Sequence, residues 1–131
     1  MQVRAFSTSE YRTSEIERIA RAAFETARMR SRRLTSVDLA AKLEVSAFWR
    51  EVVTRIGQSE YPDVQLTHEY ADDFARKLVF RPLTYDVVVA STLLGDVLSD
   101  VRNIMEWDGG KGGHCSTMRT RIWQLSCASA L

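Results

Sequence analysis

Cysteine and proline are scarce in this sequence of 131 residues, which contains two of each and six glycines. Cys115 and Cys127 form no CxxC pair, so a disulfide framework is excluded as the basis of the fold and a reducing, cytoplasmic setting is favoured. No apolar run approaches the roughly 20 residues that span a bilayer, and the N-terminus has no apolar segment typical of a signal peptide. Basic and acidic residues nearly balance, at a net charge of +1. Composition therefore indicates no membrane and no nucleic acid as partners.

What is abundant is apolar patterning, with 45% hydrophobic and 27% charged residues, enough for one domain or a piece of one. The segment "TSEIERIARAAFETARMR" has apolar residues at helical spacing. Ser14 and Glu17 fit a capping box at its start. The next segment, "RLTSV", is a short β-branched run that ends at Asp38, a candidate N-cap for a second helix. We expect that helix to continue to about Ile56 and to end at Gly57.

The second half of the chain alternates in the same way. "YPDVQLTHEY" predicts a turn and then a strand, on which His68 and Tyr70 are expected to be packing residues. A short helix over about 72–80 follows, then "DVVVA" as a strand buried on both faces, and then a helix that begins near Gly95. Alternating helices and strands of this kind predict an α/β fold with a mainly parallel sheet.

Two aspartates in "VVVASTLLGDVLSD" stand four positions apart, Asp96 and Asp100. On a helix, both carboxylates lie on one face, where like charges repel each other unless something lies between them. A bound metal ion satisfies that condition. A pair of solvated acids near a helix N-terminus is the alternative, because the helix dipole favours negative charge there.

The pattern changes after Asp100. Residues 101–131 contain the glycine-rich stretch "GGKGG" and show no sustained period. The stretch lacks the spacing of a phosphate-binding loop, and His114 beside Cys115 lacks the further ligands of a structural zinc. We expect residues 1–100 to form the folded domain and residues 101–131 to form a divergent, flexible tail.

Three stretches carry a resemblance to a known family: "YRTSEIERIARAAFETAR" (11–28), "TSVDLAAKLEVSAFWREVV" (35–53) and "YPDVQLTHEYADDFARKLVFRPLTYDVVVASTLLGDVLSD" (61–100). In order and spacing they resemble the 3-isopropylmalate dehydrogenases, which belong with the isocitrate dehydrogenases. The resemblance implies descent from enzymes of leucine biosynthesis that use NAD and Mg²⁺ or Mn²⁺ to oxidise and decarboxylate a 2-hydroxy acid.

The resemblance also assigns site residues. Asp96 and Asp100 match two metal ligands of the family. Asp72 matches a third, which reaches the metal from the other subunit of a homodimer. Oxygen ligands suit such hard cations. The helix that contains Trp49 matches one that the resemblance places in the bundle between subunits, so Trp49 is expected in the core or in the dimer interface.

Departures from the family pattern concern catalysis. Leu39 and Ala41 occupy the positions of the family's catalytic lysine and of an asparagine near the cofactor, and Lys42 is a possible substitute one turn along. The family's catalytic tyrosine and arginine cluster precede the matched region, and its dinucleotide-binding segment follows it. The resemblance therefore implies a truncated fragment, mainly the central dimer-forming domain, with no NAD binding of its own.

Three hypotheses remain. In the first, the chain is an inactive relative that serves as a dimerisation or interaction domain, with itself or with a full-length dehydrogenase. In the second, it is a subunit that contributes metal-site residues to an active dehydrogenase. In the third, it is a gene remnant without a function.

Overall fold

A computed structural model describes residues 3–5, 9–81, 84–106 and 121–124. Helices and strands alternate along the chain in the predicted order. The helices are α1 (Thr13–Arg28), α2 (Glu44–Glu60), α3 (Ala71–Phe80) and α4 (Thr92–Glu106), and the strands are β1 (Arg33–Asp38), β2 (Gln65–Tyr70), β3 (Val87–Ala90) and β4 (Arg121–Gln124). No helix among these residues is long and apolar enough to cross a membrane.

The four strands form one sheet in the order β2-β1-β3-β4, and every neighbouring pair is parallel. Alternate residues of β3 enter two separate cores: Val87 and Val89 pack with α1 and α2, whereas Val88 and Ala90 pack with α3 and α4. The "DVVVA" run is thus buried on both faces, as the continuous apolar pattern predicts. The α/β fold with a mainly parallel sheet is confirmed.

The start of α1 differs from the predicted capping box. Arg12 is the N-cap, and its backbone N–H donates to the Glu15 carboxylate at 3.2 Å. Ser14 lies inside the first turn, and Glu17 instead accepts hydrogen bonds from Arg21 and Arg55. The capping box predicted at Ser14 and Glu17 is therefore wrong, because the helix begins earlier, with Arg12 as the N-cap and Glu15 as its partner.

Both predicted ends of α2 are also wrong. Asp38 is the last residue of β1, and a turn over residues 40–42 separates it from α2, whose N-cap is Leu43. Gly57 is buried inside the helix, which continues to Glu60. A Cβ at Gly57 would lie 2.8 Å from Cζ of Phe24. Glycine is therefore required here by the close approach of α1, not by a helix end.

Residues after Asp100 differ from the expected tail in two places. Helix α4 begins at Thr92, three residues before Gly95, and continues across residue 100 to Glu106. Residues Arg121–Gln124 form β4, which pairs with β3. Residues 107–120 and 125–131, with His114 and both cysteines, lie outside the described residues, so the division of the chain at residue 100 stays a prediction.

Candidate functional site

The carboxyl ends of three strands meet at one edge of the sheet. Asp38 pairs with Tyr70 across β1 and β2, and Val37 pairs with Ala90 across β1 and β3. The chain therefore leaves the sheet at this edge towards the turn before α2, towards α3 and towards α4. In open α/β sheets, ligands bind outside the carboxyl ends of the strands. This edge is therefore the candidate ligand-binding region.

Asp38 is the central charged group at this edge. Its side chain is 1% exposed, and its two carboxylate oxygens accept hydrogen bonds from Nε and Nη2 of Arg50, each at 2.8 Å. The Ala40 backbone N–H donates to the same carboxylate at 2.9 Å. The hydrogen bond to Asp38 raises the pKa of the Arg50 guanidinium, so the contact favours the charged form of Arg50. It joins β1 and α2 and holds the turn between them.

His68 and Tyr70 complete a polar cluster around that pair. The Arg50 guanidinium lies over the Tyr70 ring, 4.8 Å from its centroid. Nε2 of His68 is 2.9 Å from the Thr54 hydroxyl, and Nδ1 is 4.0 Å from Asp38 Oδ2. Burial, and secondarily the Arg50 charge, lower the pKa of His68. His68 is therefore a member of a charged network and not simply a packing residue. The alternating pattern of β2 does not predict this network, because its charged members lie on β1 and α2.

Leu39 follows Asp38 directly and packs, half-buried, against the core between the sheet, α3 and α4. Its carbonyl accepts hydrogen bonds from the backbone N–H groups of Lys42 and Leu43 at 2.8 and 3.0 Å. Ala41 and Lys42 are exposed on this turn. An apolar residue at position 39 thus contributes to the core, which explains physically why leucine is tolerated where the resemblance expects lysine.

The three candidate metal ligands are all exposed. Asp72 lies in the first turn of α3, whereas Asp96 and Asp100 lie on α4. No three His, Cys, Asp or Glu side chains in the described part of the chain come together as a metal site. The structure therefore gathers two of the three acids on one helix and does not bring Asp72 to them within the single chain.

Trp49 lies in the core and is not at a surface of α2. The indole is 1% exposed, and its N–H donates to the hydroxyl of Ser36 at 3.1 Å. Among the described side chains of the helices, the apolar ones with the highest exposed fractions are instead on α3 and α4, at Phe80 (77% exposed) and Leu93 (70%). Of the two expectations for Trp49, the core is confirmed.

A second polar cluster, which sequence reasoning missed, joins β2, α3 and the segment before β3. The Tyr85 hydroxyl donates to Glu69 at 2.7 Å, and Lys77 Nζ lies 3.3 Å from Glu69 and 2.7 Å from Asp73. Burial and the bond to Glu69 raise the pKa of Tyr85. These residues are far apart in sequence and have no motif spacing, so only the fold brings them together.

An all-parallel sheet covered by helices on both faces, with a polar network at its carboxyl edge, defines an open α/β protein. The family profile described as isocitrate/isopropylmalate dehydrogenase matches residues 1–107. This chain belongs to the isocitrate/isopropylmalate dehydrogenase family. The resemblance inferred from residues 11–28, 35–53 and 61–100 is confirmed.

Individual relatives agree with this assignment. The chain is 55% identical over 96 residues to a 3-isopropylmalate dehydrogenase of Albidiferax ferrireducens and 50% identical over 101 residues to one of Oleidesulfovibrio alaskensis. These matches cover 73% and 77% of this chain but only 27% and 28% of the relatives.

Solved structures give the same result. A β-decarboxylating dehydrogenase from Thermococcus kodakarensis (apo form) superposes with a TM-score of 0.72 at 33% identity, over 77% of this chain and 30% of that one. An isocitrate dehydrogenase from Methylococcus capsulatus gives a TM-score of 0.69 at 33% identity, over 73% and 29% of the two chains.

Proposed function

We propose that this chain is a 3-isopropylmalate dehydrogenase-like domain whose present role is subunit association, in the cytoplasm, and that it has no activity alone. By descent its chemistry is the NAD- and Mg²⁺- or Mn²⁺-dependent oxidative decarboxylation of a 2-hydroxy acid in leucine biosynthesis. The observation that carries the proposal is the exposed face of α4, on which apolar and acidic side chains occur together.

Successive residues of a helix turn by about 100°, so Leu93, Asp96, Val97 and Asp100 fall within an arc of about 100° on α4. Leu94 and Leu98 lie about 110° and 150° from the centre of this arc and pack into the core. Leu93 and Val97 are 70% and 56% exposed. Leu93 and Val97 lie one helical turn apart on the surface, and we propose that this apolar pair is the contact with a second copy of the chain.

The same face supports the metal assignment. Asp96 and Asp100 would supply two carboxylate ligands, and the partner subunit's Asp72 a third, which is consistent with the absence of a three-acid cluster in the described part of one chain. Carboxylate oxygens are the ligands that Mg²⁺ and Mn²⁺ prefer. Such an ion, when bound, polarises a substrate carbonyl and stabilises negative charge on it.

Leu39 is the reason to expect no turnover. General acid–base catalysis contributes about 10² to 10⁴ in rate, and an alkyl side chain in the core can neither accept nor donate the substrate's hydroxyl proton. Lys42, the nearest lysine on the turn, is exposed and is not held by any hydrogen bond of the Asp38 network.

Light scattering on the full chain tests association. We expect the mass of a dimer for the wild type and of a monomer for Leu93→Glu, because the new carboxylate would be buried at the contact. Leu43→Glu is the matched control: Leu43 is also an exposed leucine, but it precedes α2, so this variant should remain dimeric. A monomeric wild type, or equal behaviour of the two variants, contradicts the proposal.

Calorimetric titration with Mn²⁺ tests the metal site separately. Binding should be present in the dimer and lost in Asp96→Ala, and it should be unchanged in Glu51→Ala, which removes an exposed acid from α2. Binding that survives in Asp96→Ala would contradict the assignment of Asp96 as a metal ligand. No binding by the wild type at millimolar Mn²⁺ would contradict the metal site but not the proposed subunit association.

A second function is favoured by the exposure of Asp72 at the start of α3. In that case the chain associates with a full-length dehydrogenase and contributes Asp72 to the partner's metal site. Titration of NADH and activity measurements on the mixture distinguish the two functions. Wild-type chain should raise activity relative to Asp72→Ala in the second function and should have no effect in the first.

A further inference from the structure

The proton of the Thr54 hydroxyl determines the tautomer of His68. Thr54 Oγ1 donates to the Arg50 carbonyl, one helical turn back, at 2.7 Å. A hydroxyl has one proton; with that proton on the Arg50 carbonyl, the contact of 2.9 Å between Thr54 Oγ1 and His68 Nε2 is a hydrogen bond donated by the ring. His68 therefore carries its neutral-state proton on Nε2.

The other ring nitrogen is then a bare acceptor. Nδ1 of His68 is buried and, in the described part of the chain, has no hydrogen-bond partner. It faces Oδ2 of Asp38 at 4.0 Å. Two acceptors that face each other gain nothing, whereas a proton on Nδ1 would turn this contact into a charge-assisted donor towards a carboxylate.

We propose that His68 is a proton-sensitive switch on the Asp38–Arg50 pair. With a neutral ring, Oδ2 of Asp38 accepts the hydrogen bond from Nε of Arg50 and none from His68. With a proton on Nδ1, the imidazolium competes for the same oxygen and repels the guanidinium. Arg50 is loosened from Asp38 and from the Tyr70 ring above which it lies.

The consequence extends to the turn before α2. Oδ1 of Asp38 holds the backbone N–H of Ala40, and residues 39–42 of that turn contain the position of the family lysine. Protonation of His68 thus reaches the turn that begins with Leu39 through the Asp38 carboxylate, which both His68 and Ala40 face.

The groups that face the ring set the direction of its titration. Asp38 on β1 and Arg50 on α2 are the charged neighbours, and Thr54 on α2 is neutral. Burial and Arg50 favour the neutral ring, and they outweigh Asp38, so the pKa of His68 lies below the ordinary 6.5. The switch operates on the acid side of neutrality.

Nitrogen-15 NMR of the full chain tests the proposal. The ring nitrogens should show the Nε2–H tautomer near pH 7.5. On acidification, the Arg50 Nε–H and Ala40 amide resonances should shift with the same midpoint as the His68 ring, and this midpoint should lie below 6.5. In His68→Gln, which also assigns the ring signals, these two shifts should disappear from that pH range.

Thr54→Val is the matched second variant, because it removes the acceptor for Nε2–H and leaves Asp38 and Arg50 in place. It should raise the population of the Nδ1–H tautomer. A dominant Nδ1–H tautomer in the wild type, or an Arg50 Nε–H resonance that stays constant while His68 titrates, overturns the proposal.

Discussion

Removing Arg50 deprives a carboxylate inside the protein of its hydrogen-bonded counter-ion. Arg50→Gln deletes two hydrogen bonds of 2.8 Å to Asp38, whose side chain is 1% exposed. Breaking a buried pair from one side costs about 3–5 kcal/mol. Since the Ala40 amide still donates to Asp38, we expect the lower end, about 3 kcal/mol. At a urea m value of about 2 kcal/mol/M this lowers the unfolding midpoint by roughly 1.5 M.

Urea unfolding at neutral pH and constant protein concentration measures this change, with Arg55→Gln as the control. Arg55 lies on the same helix, but its side chain is 56% exposed and it pairs with Glu17 at the surface, so its loss should cost no more than about 1 kcal/mol. The double variant Asp38→Asn/Arg50→Gln should cost less than the sum of the single variants. Equal midpoints for Arg50→Gln and Arg55→Gln would refute the argument that burial of Asp38 determines the cost.

Three further predictions follow from the same packing and charges. Gly57→Ala should lower the free energy of unfolding by about 1 kcal/mol, because the clash of the new Cβ with Phe24 exceeds the gain of about 1 kcal/mol expected for alanine in a helix; a higher urea midpoint would contradict this. Acidification below pH 6.5 should destabilise the wild type, since the unfolded chain then binds a proton at His68 that the folded chain, with its lowered pKa, does not. In His68→Gln, the melting temperature should depend less on pH in this range. An unchanged dependence would contradict the lowered pKa of His68. Asp86→Asn should be destabilising at pH 7 but not once the pH falls well below about 3.9. Burial opposes ionisation of Asp86, yet the hydrogen bonds from Arg30 and Ser31 outweigh it and lower its pKa, so the stabilisation present at pH 7 is lost as the carboxylate becomes protonated. A loss of stability in Asp86→Asn that is independent of pH would show that the charge is not the cause.

Local periodicity in the sequence was enough to predict the order of helices and strands through α4. Period-2 and period-3.6 patterns depend only on which face is buried, and this explains why "DVVVA" and the α1 stripe were predicted correctly. The boundaries were less predictable. Ser14 and Asp38 are good cap residues by composition, but neither caps a helix, since Arg12 begins α1 earlier and a turn follows Asp38.

The residues and spacing of the sequence motifs were enough to identify the family and the candidate metal-binding aspartates. Asp96 and Asp100 are recognisable because both lie within one short helical motif, and their shared exposed face on α4 follows from their spacing. Asp72 is recognisable only through the resemblance, and its distance from the other two acids depends on how subunits associate, which stays a proposal.

The sequence by itself thus determined the α/β class, the family and the candidate acids, because these depend on residue order and spacing along one segment. Only the tertiary structure decided the networks around Asp38 and Glu69, the need for glycine at position 57 and the addition of β4 to the sheet. Each of these joins groups that are distant along the chain. Asp38, Arg50 and His68 come from β1, α2 and β2, and their coupling arises because parallel strands bring their carboxyl ends to one edge.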